Sequence, residues 1–115
     1  MTEDLIRVVL ADDHTVVRAG LKAVLRTAKD IDVVGEARNG EEALALVDRF
    51  HPHVVVMDLS MNGMDGITAT KEVVARKNGT RVLVLTMHPE EDYLVPLLEA
   101  GAAGYLVKSV ADREL

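Results

Sequence analysis

The 115-residue chain contains no cysteine. That absence excludes disulfides, thiolate zinc sites and thiol nucleophiles together. Aromatic residues are scarce at 3%, while apolar residues reach 49%, so the core has to be packed from Val, Leu, Ile and Ala. Positive charge is also short. Thirteen Lys and Arg stand against nineteen Asp and Glu, a net charge of -6, and the chain carries no basic footprint for nucleic acid. No apolar run approaches the roughly 18 residues of a membrane span. The acidic start, MTEDLIRVV, reads as neither a signal peptide nor a transit segment. No G-x-G-x-x-G or P-loop follows the first apolar run, which disfavours a nucleotide-binding enzyme. There is no linker, repeat or low-complexity tract. What remains is one soluble, cytoplasmic domain with a single aliphatic core.

Short aliphatic runs recur along it: LIRVVLA (5–11), DVVGEA (32–37), HVVVMD (53–58), RVLVLT (81–86) and GYLVK (104–108). The middle runs hardly alternate, as expected of strands covered on both faces of a parallel sheet. Helical patterns lie between them. In the first, Val17, Leu21, Val24 and Ala28 recur at helical spacing. In the second, opened by Asn39 or Gly40, Ala43, Val47 and Phe50 line one side. The third runs from near Asp65-Gly66 to about Lys77 and breaks at Asn78-Gly79. The fourth spans about Glu90 to Ala100, with Gly101 as its C-terminal cap. Pro96 falls inside the fourth, where it removes a backbone donor and costs about 3 kcal/mol, so a kinked or shortened helix is expected there. Five strand–helix alternations predict a doubly wound α/β sandwich. Ser109 to Asp112 has the form of a capping box, yet the chain stops at Leu115. The expectation is a last helix truncated by the end of the chain, leaving apolar surface that favours dimerisation.

The polar residues at the strand ends carry the chemistry. Asp12 and Asp13 close the first run, Asp58 the third, Thr86 the fourth and Lys108 the fifth. In an open parallel sheet those carboxyl ends share one edge, and ligands bind there. Clustered carboxylates suit a hard divalent cation such as Mg²⁺. A carboxylate can also act as a nucleophile and form an aspartyl-phosphate. Phosphoryl transfer mainly needs alignment and positive charge around the phosphoryl oxygens, which Mg²⁺ and Lys108 could supply, with Thr86 donating a hydrogen bond.

In their order and spacing, ADDH, VVVMDLS, VLVLTMH and GYLVKS resemble the receiver domains of two-component response regulators, over the whole chain (1–115). ADDHTVVRAGLKAVL, VVGEARNGEEAL and LTMHPEEDY resemble the NarL/FixJ branch, whose members carry a C-terminal helix-turn-helix DNA-binding domain. The resemblance implies a CheY-like, flavodoxin-like three-layer sandwich with five parallel strands in the order 2-1-3-4-5. It makes Asp58 the phosphoacceptor, with Asp12, Asp13, Asp58 and the backbone carbonyl of Ser60 holding Mg²⁺ (or Mn²⁺). Lys108 pairs with Asp58 and then with the phosphoryl group. Thr86 and Tyr105 form the switch pair, and a sensor histidine kinase is the donor. DNA would be reached only through the attached domain.

Several residues depart from that pattern or stand beside it. Asn62 occupies a position where most receivers have Pro. Ser109 stands where many have Pro after a cis bond; the bond before it is either a strained cis or a trans one, and the reach of Lys108 depends on which. Ser60, Met87 and His88 are placed as modulators of access to Asp58. Alone, Asp12 and Asp13 would read as helix-capping residues, and Asp65 reads as a cap. His51 and His53, around Pro52, read as loop residues at the far edge of the sheet, and His14 as a solvent-exposed neighbour of the acids. Two other functions compete. One is a phosphorylation-independent dimerisation or interaction module on the same fold. The other is a turnover phosphatase, disfavoured because Ser60 stands where such enzymes carry a second acid.

Overall fold

The computed structural model describes residues 5–58, 66–86 and 98–107, with the backbone alone at 86 and 105–107. Its elements run β1 (Ile6–Ala11), α1 (Thr15–Arg26), β2 (Ile31–Ala37), α2 (Gly40–Phe50), β3 (Val54–Asp58), α3 (Gly66–Ala75), β4 (Arg81–Thr86) and β5 (Gly104–Val107). The expectations on Asp65, the body of the fourth helix with Pro96, Asn62, the Lys108–Ser109 bond and the truncated last helix lie outside the described residues.

The strands form one sheet in the order β2-β1-β3-β4-β5, and every pair is parallel. This is the order the family resemblance implies. Alternate residues of β1, β3 and β4 enter two separate cores. Val9, Ala11, Val55, Met57, Val82 and Val84 pack with Ala43 and Val47 of α2 and Ala69 and Val73 of α3. Val8, Leu10, Val56 and Leu85 form a smaller cluster on the other face, against Leu21 and Leu25 of α1. Strands with apolar side chains on both faces read as continuous runs rather than alternating ones.

Helix boundaries follow local chemistry. Asn39 caps α2, its Oδ1 accepting from the Glu42 N–H at 2.8 Å, while Glu42 Oε1 accepts from the Arg38 N–H at 2.8 Å. These two bonds satisfy the Glu42 N–H, which the helix start leaves bare, and the Arg38 N–H just before the cap. The helix ends at His51 in the left-handed region, φ 46°. Beyond α3, Lys77 (φ 53°) and Gly79 (φ +85°) turn the chain toward β4. The helical residues 98–100 end at Gly101, as expected of a C-terminal cap. Its φ is +100°, and a Cβ there would lie 2.9 Å from Val74 Cγ2, so both backbone and space require glycine.

The first helix corrects the sequence reading. Leu21 packs inward as expected, but its neighbour one turn on is Leu25, while Val24 is 46% exposed. Ala28 lies past the helix end at Arg26. At about 100° per residue 17, 21, 24 and 28 do share one stripe, but 25 lies only about 40° beyond 21, so the period alone does not choose between 24 and 25. The sheet makes that choice.

β2 carries an irregularity that the sequence does not announce. Its register against β1 shifts between Val8 and Val9, so that Val8 faces Val33 and Val9 faces Gly35. The extra residue is Val34, which packs into the α2–α3 core. An inserted residue reverses the facing of the residues after it. Glu36 thereby turns to the α1 face, where it meets Arg18 and Lys22.

Candidate functional site: an acid cluster at the sheet switch point

β1 lies between β2 and β3, so the connections leave it in opposite directions at the β1–β3 boundary. A crevice opens at such a point beyond the carboxyl ends of the strands. Asp12 and Asp13 follow β1, and Asp58 is the last residue of β3. The order of the strands, rather than closeness in sequence, brings them together.

Asp12 is 1% exposed and the Asp58 side chain 3%. One oxygen of each acid, Asp12 Oδ2, Asp13 Oδ1 and Asp58 Oδ2, is shut off from solvent. One ligand atom from each of Asp12, Asp13, Asp58 and His14 lies within 4.8 Å of all the others. Two ligands on opposite sides of an ion with bonds of about 2.1 Å are about 4.2 Å apart. The set therefore closes on a single small cation with minor adjustment, and its three carboxylates are the oxygen donors that Mg²⁺ takes. Without positive charge among them, three carboxylates this close repel one another.

The turn that presents Asp12 and Asp13 is fixed from several sides. The Asp12 N–H donates to the Ala37 carbonyl at 3.0 Å, extending the β1–β2 pairing. Asp12 Oδ1 accepts from the His14 N–H at 2.8 Å. Arg18 Nη1 donates to the Asp12 carbonyl at 2.7 Å, and Arg18 Nε reaches Glu36 Oε1 at 3.3 Å. Lys22 Nζ donates to the other oxygen of Glu36 at 2.9 Å. The Lys22 hydrogen bond, with further help from Arg18, holds the Glu36 carboxyl below its ordinary value.

The structure settles the cap of α1 and extends the reading of His14. The N-cap of α1 is His14, which makes no side-chain capping bond; Asp12 serves its N–H only from outside the helix. The His14 ring is 61% exposed, as the sequence suggests, yet its Nδ1 sits 3.0 Å from Asp12 Oδ1, 3.0 Å from Asp13 Oδ1 and 3.8 Å from Asp58 Oδ2. It belongs to the cluster. Its adjacency to the acid pair was the available signal; the direction of the ring was not available. His53 is also more than a loop residue. Its Nδ1 accepts from the Arg7 N–H at 2.9 Å and ties β3 to β1 at the opposite end of the sheet.

The other expected site residues are placed only in part. In the backbone register Thr86 pairs with Val107 and Tyr105 with Val84, so both lie on adjacent strands, β4 and β5. Ser60, Met87, His88 and Lys108 lie outside the described residues.

Residues 8–115 match the response regulator receiver domain family. The chain is 44% identical over 111 residues to the transcriptional regulatory protein LiaR of Bacillus subtilis, covering 96% of this chain and 53% of LiaR. It is 40% identical to the response regulator UvrY of Escherichia coli, with 96% and 51% covered. The chain thus spans about half the length of these relatives. Its fold superimposes on the signal receiver domain of the response regulator NarL from Mycobacterium tuberculosis with a TM-score of 0.88 and 38% identity, covering 91% of this chain and 85% of that one. A parallel sheet whose switch point gathers three carboxylates, together with this match along nearly the whole sequence, establishes that the chain belongs to the receiver domains of two-component response regulators, in the NarL/FixJ branch.

Proposed function

We propose that Asp58 accepts a phosphoryl group and that the fold converts this event into a change of its output face. The observation that carries the reading is the convergence of Asp12, Asp13 and Asp58 within one small cluster at the strand ends. Three carboxylates gathered this closely suit a divalent cation, which would offset their mutual repulsion. In this reading an oxygen of Asp58 attacks the phosphorus of a phosphohistidine on a sensor kinase. The new O–P bond forms as the P–N bond breaks, and the imidazole leaves with its electron pair. Asp12, Asp13, Asp58 and the Ser60 carbonyl would hold Mg²⁺ (or Mn²⁺), which when bound supplies positive charge to the phosphoryl oxygens.

Lys108 is assigned the second positive charge, pairing with Asp58 before transfer and with the phosphoryl group after it. Thr86 would donate a hydrogen bond to a phosphoryl oxygen, and Tyr105 would fill the space that Thr86 leaves. Ser60, Met87 and His88 would govern how water reaches the product. Thr86 ends β4 and pairs with Val107, the last residue of β5, which supports the role of Thr86. A few kcal/mol of differential interaction is enough to shift two packings of one face. Catalysis is limited to taking up and slowly losing this one phosphoryl group.

Residues 1–115 form the receiver unit in this reading, and the output is an attached DNA-binding domain, supported by relatives about twice as long that are named as transcriptional regulators. DNA would be contacted only through that domain, with pairing of two receivers as a means of transmission. The setting would be cytoplasmic, beside DNA; among the described residues no helix is long and apolar enough to cross a membrane.

Incubation with a small acyl phosphate or phosphoramidate and Mg²⁺, followed by intact mass, tests the assignment. One added phosphoryl group, absent in Asp58→Asn, is the expected result. No adduct after hours would remove it, and repeated turnover of a separate phosphate ester would replace it with an enzyme.

A further inference from the structure

We propose that His14 is a fourth side-chain ligand of the cation pocket and that it gives this receiver a preference for borderline divalent ions over Mg²⁺. The inference rests on the cation reading above and adds a residue to it. Three observations support it.

The first is the pair of equal distances. Nδ1 of His14 stands 3.0 Å from an oxygen of Asp12 and 3.0 Å from an oxygen of Asp13. The Asp12 contact has hydrogen-bond geometry, but one ring N–H shared between the two acids serves neither at full strength. Neighbouring ligands around a six-coordinate ion with bonds of about 2.1 Å, however, are about 3.0 Å apart, so both separations equal the edge of such a shell. The 3.8 Å to Asp58 Oδ2 falls between that edge and the diagonal of about 4.2 Å.

The second is the anchoring of the residue. The His14 N–H is bound to Asp12 Oδ1 at 2.8 Å, and its carbonyl accepts from the Arg18 N–H at 3.0 Å in the first turn of α1. The imidazole therefore leaves a fixed backbone, and rotations of the side chain alone decide whether it reaches the pocket.

The third is access. The ring is 61% exposed whereas Asp12 and Asp58 are buried. The imidazole stands at the solvent edge of the cluster. Imidazole nitrogen suits Ni²⁺ and Zn²⁺, while Mg²⁺ keeps to oxygen ligands and water. One nitrogen added to three carboxylates changes which ions the pocket prefers while leaving its ability to hold Mg²⁺ on oxygen intact.

Calorimetric titration of the 115-residue chain with Mg²⁺ and with Ni²⁺, repeated on His14→Ala and Asp13→Asn, tests this directly. Even outer-shell partners of metal ligands are worth about 10- to 100-fold in affinity. His14→Ala should therefore weaken Ni²⁺ by about tenfold or more and leave Mg²⁺ within about twofold, while Asp13→Asn weakens both. A measurement on the unaltered protein stands beside it: Zn²⁺ should shift the ring nitrogen resonances of His14, and Mg²⁺ should not. Equal losses for both ions in His14→Ala, no loss for either, or silent His14 resonances with Zn²⁺ would overturn the proposal while the Asp-based pocket stands. A wild-type chain that binds neither ion would remove that pocket as well.

Discussion

The two ends of the sheet are made by the same strands and are built in opposite ways. At the amino end the polar groups described near β1, β3 and β4 meet complementary ones. The Arg7 N–H donates to His53 Nδ1 and its guanidinium to the Phe50 carbonyl, both at 2.9 Å. The His53 N–H returns a bond to the Arg7 carbonyl, and the Arg81 N–H donates to the His53 carbonyl. The buried Thr80 hydroxyl donates to the Pro52 carbonyl at 2.7 Å. At the carboxyl end the same strands gather three carboxylates, with the exposed His14 ring set against them. Satisfied polar groups stabilise a fold, and like charges held close weaken it. One end latches the strands; the other crowds carboxylates at the site proposed for a cation and a phosphoryl group.

Substitutions should therefore change sign from one end to the other. The largest effect is expected at the latch. Thr80→Val removes a buried donor and strands the Pro52 carbonyl, which should cost about 1–3 kcal/mol. Urea unfolding would read the loss, and phosphoryl uptake on Asp58 should be unchanged. A variant as stable as the original would mean that the amino end is not a latch.

At the other end, Asp13→Asn relieves like-charge repulsion, and we expect a gain of about 1 kcal/mol without divalent ions, seen as a higher unfolding temperature. Mg²⁺ at about tenfold above its dissociation constant should stabilise the original chain by about 1.4 kcal/mol and the variant by clearly less. A variant destabilised without divalent ions would contradict the picture of a site held under repulsion.

The smallest effect concerns pH. Glu36 is held below its ordinary value of 4.5, first by the Lys22 hydrogen bond. A carboxyl depressed in the folded state adds stability above its unfolded value and loses it as pH falls through the folded one. Stability should thus decline below about pH 4.5 with a slope that Glu36→Gln makes shallower. Because Glu36 also steadies Arg18, which holds the Asp12 carbonyl, the same variant sharpens the comparison by asking whether an edge-strand ion pair reaches the site. Parallel slopes in the two chains would show that the pair contributes nothing on folding.

Much of this was legible in the residues. Continuous runs such as HVVVMD and RVLVLT are the mark of strands covered on both faces of a parallel sheet, and Asn39 or Gly40 announces the start of α2. Asp12, Asp13 and Asp58 were identifiable because a charge ending an aliphatic strand in such a sheet has one place to go. Less accessible were choices between neighbours. Val24 and Leu25 are both apolar and both near the inward stripe, and the packed sheet takes Leu25. Nothing in DVVGEA marks Val34 as the inserted residue that turns Glu36 toward Arg18.

What the sequence determined by itself is therefore periodic or terminal: which segments are strands and helices, and which charged groups stand at their ends. Those properties arise from rules acting within a few residues. The strand order that sets Asp12 beside Asp58, the bulge at Val34 and the aim of the His14 ring into the acids were decided by tertiary structure. They depend on packing and charge between segments tens of residues apart, and on a rotation about side-chain bonds that no local pattern fixes.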